Sequence, residues 1–159
     1  MSLAEQKEGG VSILNYTTKV SADKTIAEIR RLLVKAKASA ILTEYGPEGY
    51  PAAISFRILT EFGLLTFRLP ADVQKIYQVI VRDLGIPRRM RTREQAARVA
   101  WRIIKDWTAA QLALLESGLV DTTQLFLPYV QDASGHTLYE NIRTRRFAGY
   151  LAQGASQNT

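Results

Sequence analysis

Cysteine is absent from this 159-residue chain, and histidine occurs once. The first absence excludes disulfides, thiolate metal sites and cysteine nucleophiles, and it suits a reducing compartment. The second excludes two-histidine metal sites and paired-histidine phosphodiester chemistry. Long apolar runs are also missing. No stretch approaches the ~18 residues a membrane helix needs. The opening MSLAEQKEGG has no basic segment followed by an apolar core, so a secretory signal is not expected. Carboxylates are scattered, with no DxD or ExxH-type spacing. Gly46 and Gly49 bracket a turn without the Lys-Ser/Thr that completes a phosphate loop. The lone His136 falls in an expected turn and reads as a surface residue. These absences lead us to expect no catalytic residues, no metal, no cofactor and no membrane contact, in the cytoplasm of a bacterial host cell.

Positive charge is what the chain has in excess. Lys and Arg number 21 against 15 Asp and Glu, a net of +6. Such a balance suits anionic partners, nucleic acid or nucleotides, although solubility alone would also explain it.

Apolar spacing divides the chain. Residues 1–10 are polar and end in Gly9-Gly10, which suggests a flexible leader. Val11 to Val20 is rich in β-branched and aromatic residues and reads as a strand. Ile26, Ile29, Leu33 and Ala36 then share one helical face, with Ser21, Asp23 or Thr25 as caps and Thr25 with Glu28 in a capping-box pattern. Three strands follow. Ala40 to Tyr45 runs into the Gly46–Gly49 turn. Ala52 to Leu59 and Leu64 to Leu69 alternate apolar and polar residues around a short hairpin. If Leu59 faces Leu64, then Arg57 faces Thr66, and Arg57 and Arg68 lie diagonally on one polar sheet face.

Pro70-Ala71-Asp72 opens a helix over Val73 to Asp83. Thr92 and Gln95 open the longest one, Arg93 to Ser117, with Gly118 as its stop. Trp107 lies on that helix's apolar stripe with Val99, Ile103, Ala110 and Leu114, and reads as core. Trp101 falls on a neighbouring stripe. Leu119 to Tyr129 reads as a further helical piece, Asp132–Gly135 as a turn and His136 to Asn141 as a short strand. The order β-α-β-β-β and then two to three helices, one long and central, predicts an α+β fold on a small antiparallel sheet. The expected domain is 11–142, with 143–159 a basic and then polar disordered tail.

The densest charge lies between residues 82 and 105, with eight basic side chains against Asp83 and Glu94. Arg91, Arg98, Arg102 and Lys105 are seven, four and three residues apart, which aligns them on one helical face. Together with Arg88 and Arg89 they form a candidate surface for nucleic acid or another anion, with Arg57 and Arg68 a separate candidate patch. The alternative is a solvated face whose charge is spent on Glu94 (four before Arg98) and Asp106 (four after Arg102).

The stretches ILNYTTKVSADKTIAEIRRLL, PAAISFRI and TREQAARVAWRIIKDWTAAQLALLESGLVDTTQLFLPYV, with the later TLYE, resemble a family of small uncharacterised proteins of bacteriophages, prophages and mobile elements. WRIIKDW is the most specific part, and the resemblance spans about residues 13–142. It implies a phage setting and no known activity. The expected function is therefore a non-enzymatic phage-type accessory protein that binds nucleic acid through the basic surface. The alternative is an anti-defence protein that sequesters a nucleotide signal or blocks a host defence protein. A homodimer or other oligomer and a host or phage protein partner are further expectations.

Overall fold

Ser21 starts the first helix: its hydroxyl accepts from the Lys24 amide at 3.2 Å, satisfying one of the unpaired N–H groups of a helix end. The computed structural model describes residues 12–144. The 1–10 leader and the tail beyond 144 lie outside the described residues, and 143–144 still belong to the last helix. Helix α1 (Ala22–Lys35) buries Ile26, Ile29 and Leu33 on one face. Thr25 and Glu28 do not form a capping box. Both turn instead toward Arg102 of a later helix.

Strands β1 (Ala40–Tyr45), β2 (Pro51–Thr60) and β3 (Gly63–Pro70) form an antiparallel sheet in the order β1-β2-β3. The register pairs Leu59 with Leu64 and Arg57 with Thr66, as the alternation predicts. A slip of one residue would turn Ile54, Phe56, Ile58, Phe67 and Leu69, all buried, toward water. That inner face carries the main core with α1 and the long helix. Phe126 closes it, its ring centroid 5.2 Å from Phe56 and 5.8 Å from Phe67.

Helix α2 (Val73–Arg82) is capped by Asp72, whose carboxylate accepts from the Lys75 amide at 3.0 Å. Helix α3 (Arg93–Glu116) begins at Thr92, whose hydroxyl accepts from the Gln95 amide at 3.1 Å. Gln95 does not return the favour as a capping box would. Its amide nitrogen donates to the carbonyls of Tyr16 and Thr18. Gly118, with φ 75°, follows Ser117 in the left-handed conformation that ends helices cheaply only at glycine. Helix α3 runs through the middle of the molecule and touches α1, α2 and α4 (Thr122–Phe126). A 3-10 turn, Leu127–Tyr129, and helix α5 (Leu138–Thr144) complete the described chain. A second, smaller core of Ile80, Ile86, Ala96 and Val99 lies between α2 and α3.

The α+β class, the antiparallel sheet and the long central helix are as expected; three details differ. Residues 12–20 are turn and irregular backbone, not a strand. Asn15 takes φ 64°, and Ile13 and Tyr16 pack on the smaller core. His136 to Asn141 is mostly helix: Thr137 and Glu140 form a reciprocal capping box at 2.7 and 3.2 Å. Of the two tryptophans, the one on the neighbouring stripe is the more enclosed. Trp101 is fully buried and its indole donates to the Pro51 carbonyl at 2.9 Å. Trp107 is half-buried, edge-on to Phe126 and Tyr129.

Candidate anion-binding surface

The loop between α2 and α3 is built on Ile86, which is fully buried. Asp83 shapes its start, accepting from the Gly85 amide at 2.9 Å, and the Ile86 amide donates to the Asp83 carbonyl at 3.1 Å. Pro87 then begins a 3-10 turn, Arg88–Met90. The Arg91 side chain folds back, its Nε donating to the Ile86 carbonyl at 2.9 Å. A buried anchor and a string of local hydrogen bonds hold this loop in one shape. Arg88 and Arg89 on this loop and Arg82 at the end of α2 are exposed and without an ion-pair or hydrogen-bond partner among the described residues.

The other candidate cations are distributed differently. Arg91 precedes the helix, so it does not extend a stripe along α3. Arg98 pairs with Glu94 at 2.9 Å, the partner its spacing suggests. Arg102 pairs across to Glu28 of α1 at 2.7 Å and to the Thr25 hydroxyl at 3.3 Å, rather than to Asp106. Asp106 instead accepts from Asn15 at 3.0 Å and lies 3.7 Å from Lys105. On the sheet, Arg68 donates to Glu44 at 2.7 Å. Arg57 is exposed on the outer sheet face and has no ion-pair or hydrogen-bond partner for its side chain among the described residues. Arg88 and Arg89 therefore remain an exposed cationic pair, and Arg82, the last residue of α2 and absent from the sequence-derived set, is likewise exposed and unpaired among the described residues. Its signal was its place at the end of an amphipathic helix, next to Asp83, whose carboxylate turns toward the loop backbone.

One further constellation is invisible to spacing rules. Asp132 Oδ1 accepts from the Ser134 hydroxyl at 2.6 Å and from the amides of Ser134 and His136, and Oδ2 accepts from Asn141 at 2.7 Å. These donors, the Ser134 hydroxyl first, hold the Asp132 carboxyl well below the usual carboxylate range. The Thr137 amide lowers the Glu140 carboxyl. Ser134 Oγ also lies 2.8 Å from His136 Nδ1. Ser, His and Asp are thus together, but in the wrong linkage for nucleophilic catalysis. With the Ser134 hydroxyl donating to the carboxylate, Nδ1 of the matching tautomer donates to Ser134, and Asp132 contacts the serine rather than orienting the imidazole as in a triad. The cluster shapes a turn.

Among the described residues, no group of three or more His, Cys, Asp or Glu side chains could hold a metal ion. No described helix is long and apolar enough to cross a membrane. No protein-family model, curated protein or solved structure matches the chain.

Proposed function

We propose that the protein is a non-enzymatic accessory protein that binds nucleic acid through the α2–α3 loop, with a phage setting as part of the same reading. The supporting observation is the contrast between Arg82, Arg88 and Arg89, exposed and unpaired among the described residues, and Arg68, Arg98 and Arg102, engaged by acids. An arginine already paired at 2.7 Å gains little from a phosphate, because it must first give up a partner of the same charge. An unpaired arginine gives up side-chain freedom on binding but no ionic partner, and each phosphate it neutralises releases a counterion. Projecting guanidiniums without accompanying base-reading side chains favour backbone contact and weak sequence preference.

The exposed Leu42, Leu59 and Leu64 support a second reading, a host or phage protein or a second copy against the outer sheet face. Substitution separates the two. Replacing Arg82, Arg88 and Arg89 with Gln is expected to weaken binding of a labelled oligonucleotide, while Arg57→Gln leaves it nearly unchanged. Loss of binding only in Arg57→Gln moves the site to the sheet. Absence of any binding by the wild type, to oligonucleotide or mononucleotide, favours the protein partner.

A further inference from the structure

A cleft of about 470 Å³ opens where the β1–β2 turn, the β3–α2 junction and the first residue of α3 meet. That size lies within the range of small-molecule sites, roughly 300–1,000 Å³. Its base is firmly built. The Ala71 amide donates to the Ala52 carbonyl at 2.8 Å, and buried Trp101 donates to the Pro51 carbonyl at 2.9 Å. Pro47, Pro51 and Pro70, three of the chain's five prolines, line it beside Tyr50. Prolines carry no N–H, so these walls offer apolar surface and few donors.

Arg93 is the only cation among the lining residues. Its Nη1 donates to Gln74 Oε1 at 2.8 Å and lies 3.2 Å from Glu48 Oε1. The Tyr77 ring sits 4.9 Å from the guanidinium carbon. Nη2 and Nε have no partner among the described residues. The guanidinium is thus held in place by a stack and two acceptors, with donors left over, which is the arrangement that receives a carboxylate in two-point fashion. Glu48, its present ionic partner, is half-exposed on a turn that Gly49 closes with φ 81°. An incoming carboxylate can replace it one for one.

We propose that this cleft binds a small monoanion with an apolar or aromatic body, its carboxylate on Arg93 and its body against the prolines and Tyr50, in competition with Glu48. Charge sets the class. Glu48 and Asp72 both line the cleft, Asp72 with Lys75 3.4 Å away, so a monocarboxylate adds one negative charge beside them and a phosphate dianion adds two, which disfavours the dianion. The site stands apart from the nucleic-acid surface, because Arg82, Arg88 and Arg89 do not line it.

The test titrates N-acetylphenylalanine, its amide and phenyl phosphate into the full-length protein, followed by amide NMR shifts of Gly49, Ala52 and Gln74. The acid is expected to saturate those shifts and to bind at least about tenfold more tightly than the amide, since a hydrogen bond to a charged group carries that much discrimination. Arg93→Gln should erase the preference for the acid and leave the amide's affinity unchanged. Glu48→Gln should tighten the acid by about two- to fivefold, the strength of an exposed ion pair. Lys24→Gln, on α1 and outside the cleft lining, should change nothing. Arg93 is half-exposed, and the melting temperature checks that its variant is folded. Equal binding of acid and amide, affinity indifferent to Arg93→Gln, or no saturable shift with any of the three overturns the proposal. Tighter binding of phenyl phosphate overturns its choice of ligand.

Discussion

Replacing Trp101 with Phe tests the packing that sets both the core and the floor of the cleft. Trp101 is fully buried among Ile54, Phe56, Ile29 and Ala97 of the main core, and its indole nitrogen supplies the donor for the Pro51 carbonyl. Phenylalanine retains the six-membered ring but loses the pyrrole part and the donor. An orphaned buried carbonyl costs about 1–3 kcal/mol. The space left by the missing atoms adds about 1 kcal/mol, since the sheet on one side and α1 on the other limit collapse. The sum is about 2–4 kcal/mol, a large share of the roughly 5–15 kcal/mol of a typical domain. Trp107→Phe is the matched control. Trp107 is half-buried at the margin of the main core, edge-on to Phe126 and Tyr129, so it should cost about 1 kcal/mol. Urea denaturation followed by far-ultraviolet circular dichroism reads both, because it does not depend on the removed fluorophore. The expected result is a large drop in midpoint for Trp101→Phe with an unchanged m-value. A cost below that of Trp107→Phe would refute the packing described here.

Three further outcomes are expected. Arg102→Gln leaves Glu28 half-buried without its cation and should cost about 1–3 kcal/mol in urea denaturation, yet leave oligonucleotide affinity unchanged; the opposite pattern would restore Arg102 to the binding surface. Ile29→Ala, at a fully buried site, should cost about 2–5 kcal/mol, and Ile103→Ala, half-buried on the smaller core, distinctly less, as measured by thermal melts. Acidification should loosen residues 131–144 before the sheet. The folded carboxyls of Asp132 and Glu140 titrate below their ordinary values. The stability they contribute is therefore complete above about pH 5 and is lost as pH falls through about 4 toward their folded values. Hydrogen exchange that opens this segment and the β2 core together at one pH would contradict that order.

Much of the fold could be read because its local signals agreed with one another. Strict alternation in β2 and β3 left one register that hides Ile54, Phe56 and Phe67, and Thr92 with Gly118 marked both ends of the long helix. The failures came where a local pattern met a tertiary competitor. Residues 11–20 carry strand-forming side chains, but among the described residues the far edge of β3 is met by Val130, which forms an isolated bridge to Phe67, and residues 12–20 pack on α3 instead. At 136–141 the decisive signal was present in Thr137 and Glu140, three apart, and composition outweighed it. Trp101 and Trp107 lie on adjacent stripes, and only the placement of the sheet and Phe126 decides which is enclosed. The basic surface was legible as a count and not as a geometry. Nothing in the spacing shows that Arg102 reaches Glu28, 74 positions away, or that Arg93 heads a cleft assembled from three separate segments.

The proposed function is tested most directly by the salt dependence of oligonucleotide binding, measured as the slope of log affinity against log salt for the wild type and for the variant with Gln at positions 82, 88 and 89. Each phosphate contact contributes a slope of about 0.7 for a single strand and 0.9 for a duplex. The expected result is a steep wild-type slope that falls by about two to three units in the variant. An unchanged slope, or a wild type that shows no salt-dependent binding, would contradict the assignment of this loop as a nucleic-acid surface.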